Sequence, residues 1–227
     1  MTTYFITGID TDIGKTYATG ILARQLMAYG KSVITQKLIQ TGVTGDIADD
    51  IITHRQLMGM TLHTLDINGT SCPIVLAKPA SPHLSARLEN RTLDTDAITD
   101  ATARLHEHFD IVLLEGAGGV LVPLTDKLLT LDYVAKKHYP IIVVTSAKLG
   151  SINHTLLTLE AIKARGLNLF SVIFNHHFDT DTDISSDTQL FLQKYVAKNH
   201  SGTLFLRLVN GKIISAHEKM ADFMNKF

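Results

Sequence analysis

Two kinds of apolar pattern alternate along this chain. Short runs rich in β-branched residues recur at Tyr4–Thr7, Ser32–Thr35, Ile111–Leu114, Ile141–Thr145, Leu169–Phe174 and Thr203–Leu206. They are continuous rather than interleaved with polar residues, which is the pattern of strands covered on both faces. Between them lie stretches with helical spacing. Lys15 to Tyr29 places Ala18, Ile21, Leu22 and Leu26 at such spacing and stops at Gly30, and Asn153 to Arg165 stops in the same way at Gly166. Alternation of strand and helix predicts an α/β fold, a parallel sheet with helices on both faces and ligands bound beyond the carboxyl ends of its strands. No repeat, low-complexity tract or Pro/Ser-rich linker divides residues 1–227, so a single domain is expected. The Asp/Thr/Ser-rich stretch Phe178–Ser186 is expected to be a surface loop.

Composition removes several classes of protein. Hydrophobic residues make up 45% of the 227 and charged residues 19%, a balance that suits a packed core and excludes extensive disorder. A formal charge of −1 lacks the whole-chain electrostatic footprint of a nucleic-acid binder. The single cysteine, Cys72, rules out an intrachain disulfide and any multi-cysteine metal site, and its expected role is that of a small buried hydrophobe in a reducing compartment. The start, Met1-Thr2-Thr3-Tyr4, has no basic leader, and apolar runs such as Pro140 to Val144 fall far short of the ~20 residues of a membrane span. A cytoplasmic protein with neither nucleic acid nor membrane as partner is expected.

Candidate chemistry begins where the first strand runs into Gly8-Ile9-Asp10-Thr11-Asp12-Ile13-Gly14-Lys15-Thr16 and then a helix. This is the setting of a phosphate-binding loop: backbone N–H groups and a helix N-terminus face the phosphates, Lys15 reaches the β/γ oxygens, and the Thr16 hydroxyl is placed to ligate Mg²⁺. Five residues rather than the standard four separate Gly8 from Gly14. The third apolar run ends in Glu115-Gly116-Ala117-Gly118-Gly119, an acid at a strand tip placed to hold Mg²⁺, followed by glycines that let backbone approach a phosphate or substrate. Lys37 follows the second strand at the same sheet edge. Two lysines around one anionic centre suit a reaction that develops more negative charge than a nucleotide alone carries.

At this point the sequence resembles the dethiobiotin synthetases. The likeness runs through the longer glycine spacing of Thr7–Thr16, then Lys37-Leu38-Ile39-Gln40-Thr41-Gly42, Pro79-Ala80-Ser81-Pro82-His83, Glu115–Gly119, Lys148-Leu149-Gly150-Ser151-Ile152-Asn153-His154 and Asn175. It implies a P-loop NTPase-like domain that closes the ureido ring of dethiobiotin from 7,8-diaminononanoate, CO2 or bicarbonate, and ATP with Mg²⁺. It also implies catalytic roles for Lys15, Lys37 and Thr11. ATP would be held by Asp12, Ile13, Gly14, Lys15, Thr16 and Tyr17, by Asp49, by Glu115, Gly116, Ala117 and Gly118, and by Asn175. The substrate would meet Thr11, Lys37 and Thr41, with Leu149, Gly150 and Asn153 holding its carboxylate tail near the interface of a homodimer. Thr16, Asp49 and Glu115 would hold the metal, with Asp50 as the alternative to Asp49.

The chain departs from the family in two places. No proline follows Pro140, although family members often carry prolines that touch the base in the loop after the last strand; Leu206–Asn210 stands there instead. Asp12 occupies a position that is often Glu. Among the histidines, His106/His108 and His176/His177 suit a solvated helix and a strand end rather than a metal site, and His83 and His154 are expected to be polar filling of loops. Phe205, Phe223 and Phe227 are expected to pack in the core or an interface. The rival reading is a nucleotide-switched partner-binding ATPase, but such proteins generally carry a second Lys five residues before the loop lysine, where this chain has Asp10. A synthetase with a fused glutaminase domain would need a catalytic Cys and more chain. A member that kept the fold and lost activity would not be expected to retain Lys15, Thr16, Lys37 and Glu115 together.

Overall fold

The computed structural model describes residues 1–215 and 220–227. In chain order its elements are strand β1 (Thr2–Gly8), helix α1 (Lys15–Ala28), β2 (Val33–Lys37), β3 (Gln40–Thr41), α2 (Asp49–Met58), α3 (Thr64–Ile67), β4 (Val75–Leu76), α4 (Pro82–Leu88), α5 (Asp96–His106) and β5 (Ile111–Glu115). There follow β6 (Pro123–Thr125), β7 (Leu128–Leu129), α6 (Thr130–Lys137), β8 (Ile141–Ser146), α7 (Ser151–Ala164), β9 (Leu169–Asn175), a 3₁₀ turn (His176–Phe178), α8 (Thr182–Asn199), β10 (Leu204–Val209), β11 (Lys212–Ser215) and α9 (Met220–Met224).

Seven strands form one sheet in the order β11-β10-β9-β8-β1-β5-β2, all neighbours parallel except the β10–β11 pair. Every residue of β5 and β8 is buried, so both faces are covered and the apolar runs have no polar side to alternate with. Phe5, Ile6, Leu113, Leu114, Val143, Val144 and Phe174 form the centre of the core; each such side chain contributes about 1.5–3 kcal/mol relative to exposure. All six apolar runs lie in this sheet. Tyr4, Phe170, Phe223 and Phe227 stack into an aromatic cluster that pins the C-terminal helix to β1 and β9, with ring centroids 4.7 Å apart for Tyr4–Phe227 and 5.0 Å for Phe170–Phe227.

Register decides the site. Lys37 at the end of β2 pairs with Glu115 at the end of β5, and Ile6 of β1 pairs with Glu115 from the other side. Direct partners in a sheet point the same way, so the lysine and the glutamate emerge together at the carboxyl edge beside the glycine loop.

Three expectations are corrected. The segment Phe178–Ser186 is not one loop: α8 starts at Thr182, because the Asp181 carboxylate accepts from the Asp183 and Ile184 N–H groups at 2.9 and 3.0 Å and caps the helix. Helix α7 starts at Ser151 rather than Asn153, where Gly150 takes φ 90° and turns the chain into the helix. The apolar run Leu204–Val209 does not open into a loop but turns back as β11 through Asn210 (φ 48°) and Gly211 (φ 71°). Asn-Gly is the strongest short hairpin signal because both central residues of the turn need positive φ. Arg24 donates to Gly211 O at 2.6 Å, and Gln25 exchanges two hydrogen bonds with Ile213, tying the hairpin to α1.

Candidate active site

A cavity of about 750 Å³ opens at the carboxyl edge of β1, β2 and β5. The glycine loop forms one wall. Asp12 and Gly14 take φ 53° and 87°, a left-handed geometry that Asp tolerates and Gly adopts freely. A side chain on Gly14 would also collide with the Asn175 amide, so the loop closes against β9 only because that position is bare.

Thr11, Asp12, Gly14, Lys15, Thr16, Tyr17, Lys37, Thr41, Glu115, Ala117, Gly118 and Asn175 all line this cavity, so most of the residues singled out from sequence converge there. Ile13 is buried beneath the loop and offers its carbonyl to the Asn175 amide at 3.2 Å. Gly116 contributes its carbonyl, which accepts from Lys37 Nζ at 3.1 Å. Leu149, Gly150 and Asn153 lie outside the cavity and are exposed.

Of the two aspartates, Asp50 rather than Asp49 faces the cavity. Asp50 lines the cavity and its Oδ2 lies 2.5 Å from Lys37 Nζ, whereas Asp49 is exposed on a separate shallow depression bounded by residues 42–52. Adjacent residues on a helix point about 100° apart, and the packing of α2 on the body turns the second one inward.

Lys37 is almost fully buried, and its ammonium has three oxygen partners: Asp50, Glu115 Oε1 at 2.8 Å and the Gly116 carbonyl. Burial alone would depress its pKa; Glu115 and Asp50 outweigh burial and hold it above the ordinary lysine value. Glu115 is fully buried, yet Lys37 and a hydrogen bond from His54 keep its carboxyl well below the usual carboxylate range. Its Oε1 also accepts from the Thr16 hydroxyl at 3.0 Å. Lys15 donates to the Asp10 carbonyl at 2.8 Å. Burial first, and the Lys37 charge second, push its pKa down to about 8.

The oxygens of Thr16, Glu115 and Asp50 are hard donors of the kind Mg²⁺ takes. Among the described residues no group of three or more His, Cys, Asp and Glu side chains makes a cage by itself.

Sequence reasoning assigned no site role to several residues found there. His54, fully buried on α2, places Nε2 2.8 Å from Glu115 Oε2; the signal was its spacing four residues after Asp50, which puts both on one helix face. Gln40, His177 and Phe178 also line the cavity, and Phe178 lies under the Lys148 ammonium at 4.0 Å from its ring centre. Gln40 stands inside the Lys37–Gly42 motif without a role assigned to it, and no local pattern marks His177 or Phe178. The segment Leu206–Asn210 lines none of the cavity. Asn175 spends both ends of its amide on the protein, donating to Ile13 O and accepting from His177 N at 3.1 Å.

Of the other histidines, His106 bonds Thr3 and the Phe109 carbonyl, and His176 bonds Asp179 and Gln189. His154 sits 3.6 Å from Asp10, both exposed, and His83 borders a shallow surface hollow with Arg87 and Leu124.

A strand, a glycine loop, Lys-Thr at a helix start and an acid on a neighbouring strand tip define a P-loop nucleotide-binding protein. A family model described as an AAA domain matches residues 2–205. Among solved structures the chain is similar to the cell division protein FtsY of Thermotoga maritima (TM-score 0.55, 18% identity, 99% of this chain and 67% of that one) and to a ParA family ATPase of Chlorobium tepidum (TM-score 0.53, 15% identity, 89% and 84%), likenesses of fold. It is 52% identical to the ATP-dependent dethiobiotin synthetase BioD 2 of Pasteurella multocida over 89% of this chain and 94% of that protein. Against the ATP-dependent dethiobiotin synthetase BioD of Chlorobaculum tepidum the identity is 48%, over 81% and 77%. The chain belongs to the dethiobiotin synthetase family.

Proposed function

We propose that this chain, acting as one domain over residues 1–227, is an ATP- and Mg²⁺-dependent cyclo-ligase that makes dethiobiotin from 7,8-diaminononanoate, CO2 and ATP. One amine adds to CO2, forming an N–C bond and losing a proton to give a carbamate. A carbamate oxygen attacks the γ-phosphorus as its bond to the β-bridging oxygen breaks and ADP leaves. The second amine attacks the carbonyl carbon of this mixed anhydride, closes the ring, and expels phosphate with loss of a proton.

The observation that carries this reading is the pair of buried lysines, Lys15 and Lys37, facing one cavity. Carbamate and phosphoryl group are both anionic, and their repulsion grows as water is excluded, so fixed cations are required where they meet. Lys15 takes the γ-phosphate; Lys37 stabilises the carbamate and the transferring phosphoryl group. Thr11 and Thr41 hydrogen-bond the diamine end. Bound Mg²⁺, held by Thr16, Asp50 and Glu115, supplies charge neutralisation to the phosphate oxygens.

The protein works as a homodimer in the cytoplasm. Support for the dimer comes from exposed apolar side chains: Leu149 is 98% exposed, and Leu121 and Leu157 border a surface hollow with Ile9 and Asp10 of the glycine loop. There Leu149, Gly150 and Asn153 of one copy serve the substrate tail bound by the other. A buried free thiol at Cys72 suits a reducing compartment.

The test is phosphate release from Mg·ATP and bicarbonate with and without 7,8-diaminononanoate, with mass spectrometry of the product. Diamine-dependent release with dethiobiotin formed, reduced roughly 10²–10³-fold by Lys37→Ala, is expected. Slow release indifferent to the diamine overturns the reading.

A further inference from the structure

The two oxygens of Glu115 have different partners. Oε1 faces the cavity side and accepts from Lys37 and Thr16. Oε2 faces away, and among the described residues its donor is His54 Nε2 at 2.8 Å. An ionised carboxylate only accepts, so Nε2 carries the proton. Nδ1 of the same ring is buried with no hydrogen-bond partner among the described residues. His54 therefore meets Glu115 as a donor, through Nε2.

His54 is itself held. It follows Asp50 by four residues on α2, and the next residue, Arg55, fastens the helix to the body. Arg55 forks onto Asp66 at 2.7 and 2.9 Å and donates to Thr35 Oγ1 of β2 at 2.6 Å. The ring thus has a rigid support and a single task within reach.

We propose that His54 is a positioning residue for the reaction. It fixes the rotation of the Glu115 carboxylate so that Oε1 alone serves Lys37, Thr16 and the Mg·ATP end of the cavity. The role rests on the cyclo-ligase reading for its catalytic consequence, though not for its effect on Mg·ATP binding. Without the Nε2 donor, Oε2 is an ionised oxygen in a dry interior, and the carboxylate turns about its last bond to share Lys37 and Thr16 differently.

The variants are His54→Leu, which removes the donor at similar volume, and His54→Gln, whose amide nitrogen reaches where Nε2 stands. His54→Asn remains polar but is too short to reach Glu115. It replaces the leucine variant if that one does not fold. Three quantities are measured: ATP affinity by calorimetry with Mg²⁺ and with EDTA, kcat and KM for the diamine, and the midpoint of thermal unfolding. With His54→Leu, kcat and the Mg²⁺-dependent part of ATP affinity fall roughly tenfold or more, while ATP affinity in EDTA and KM for the diamine are unchanged. His54→Gln returns both to within about threefold of the parent. The proposal is overturned if the leucine variant matches the parent, if glutamine and leucine lose equally, or if affinity in EDTA falls in step with affinity in Mg²⁺. A parent protein without diamine-dependent turnover sinks the cyclo-ligase reading instead, and the comparison of ATP affinities still decides the role of His54.

Discussion

Helix α2 carries two buried charge clusters on neighbouring faces, and they are built to opposite ends. The closed one joins Arg55 to Asp66 by two hydrogen bonds, with Thr35, Ser71 and the His63 N–H filling the remaining valences. Arg55 is 1% exposed and Asp66 2%. The open one joins Lys37 to Asp50 and Glu115, with His54 behind, and borders a cavity of about 750 Å³. Guanidinium and carboxylate match as planar forks, so the closed cluster is geometrically complete. Lys37 is a point charge among three acceptors, any of which a stronger anion can replace. Completeness makes an anchor, and exchangeable partners make a site.

The comparison breaks most visibly in stability. Arg55→Met strands Asp66 without its countercharge and is expected to lower unfolding free energy by about 3–5 kcal/mol, while Arg55→Met with Asp66→Leu recovers most of that loss. Denaturant unfolding of both variants measures the difference. Equal losses for single and double variants would show that the pair is not the anchor described.

In the open cluster the loss falls on activity. Asp50→Asn is expected to reduce Mg²⁺-dependent turnover at least about tenfold, with the unfolding midpoint little changed, and titration of activity with Mg²⁺ separates this from a general loss. Full activity with Asp50→Asn would remove Asp50 from the site.

A smaller effect distinguishes Lys15 from Lys37. With a pKa of about 8, the ligand-free Lys15 ammonium is charged below pH 8 and loses its proton above it. ATP affinity is therefore expected to be level below pH 8 and to fall above it, by up to about tenfold per pH unit. Stability runs the other way: the unfolded chain holds this proton up to 10.5, so the Lys15 contribution to stability rises between pH 8 and 10.5. Calorimetric ATP binding across pH 7–9.5, with proton uptake read from buffers of different ionisation heat, tests this. Affinity that does not change over that range would mean the lysine is not depressed. Smallest of all, Asp49→Asn should remove a helix-terminal charge worth less than about 1 kcal/mol and leave turnover unchanged.

The sequence by itself determined the parts that local rules specify. Continuous β-branched runs identified six of the sheet strands. The glycine loop, Lys15 and Thr16 followed from strand-to-helix context, and Lys37 and Glu115 followed from standing at strand ends. The Asn210-Gly211 turn and the Asp181 cap are also written locally, in residue types that favour positive φ and helix starts. Tertiary structure decided the rest. Asp49 and Asp50 are chemically alike and adjacent, and only the rotation of α2, set by its packing on β2 and α1, turns Asp50 to Lys37. His54 and Glu115 are 61 residues apart and Arg55 and Asp66 are 11 apart, pairings that no period of 2 or 3.6 encodes. Asn175 meets Ile13 across 162 residues. Backbone propensity and turn chemistry act over a few residues, whereas the partner of a buried charge is chosen by which elements pack together, and that choice exists only once the sheet has formed.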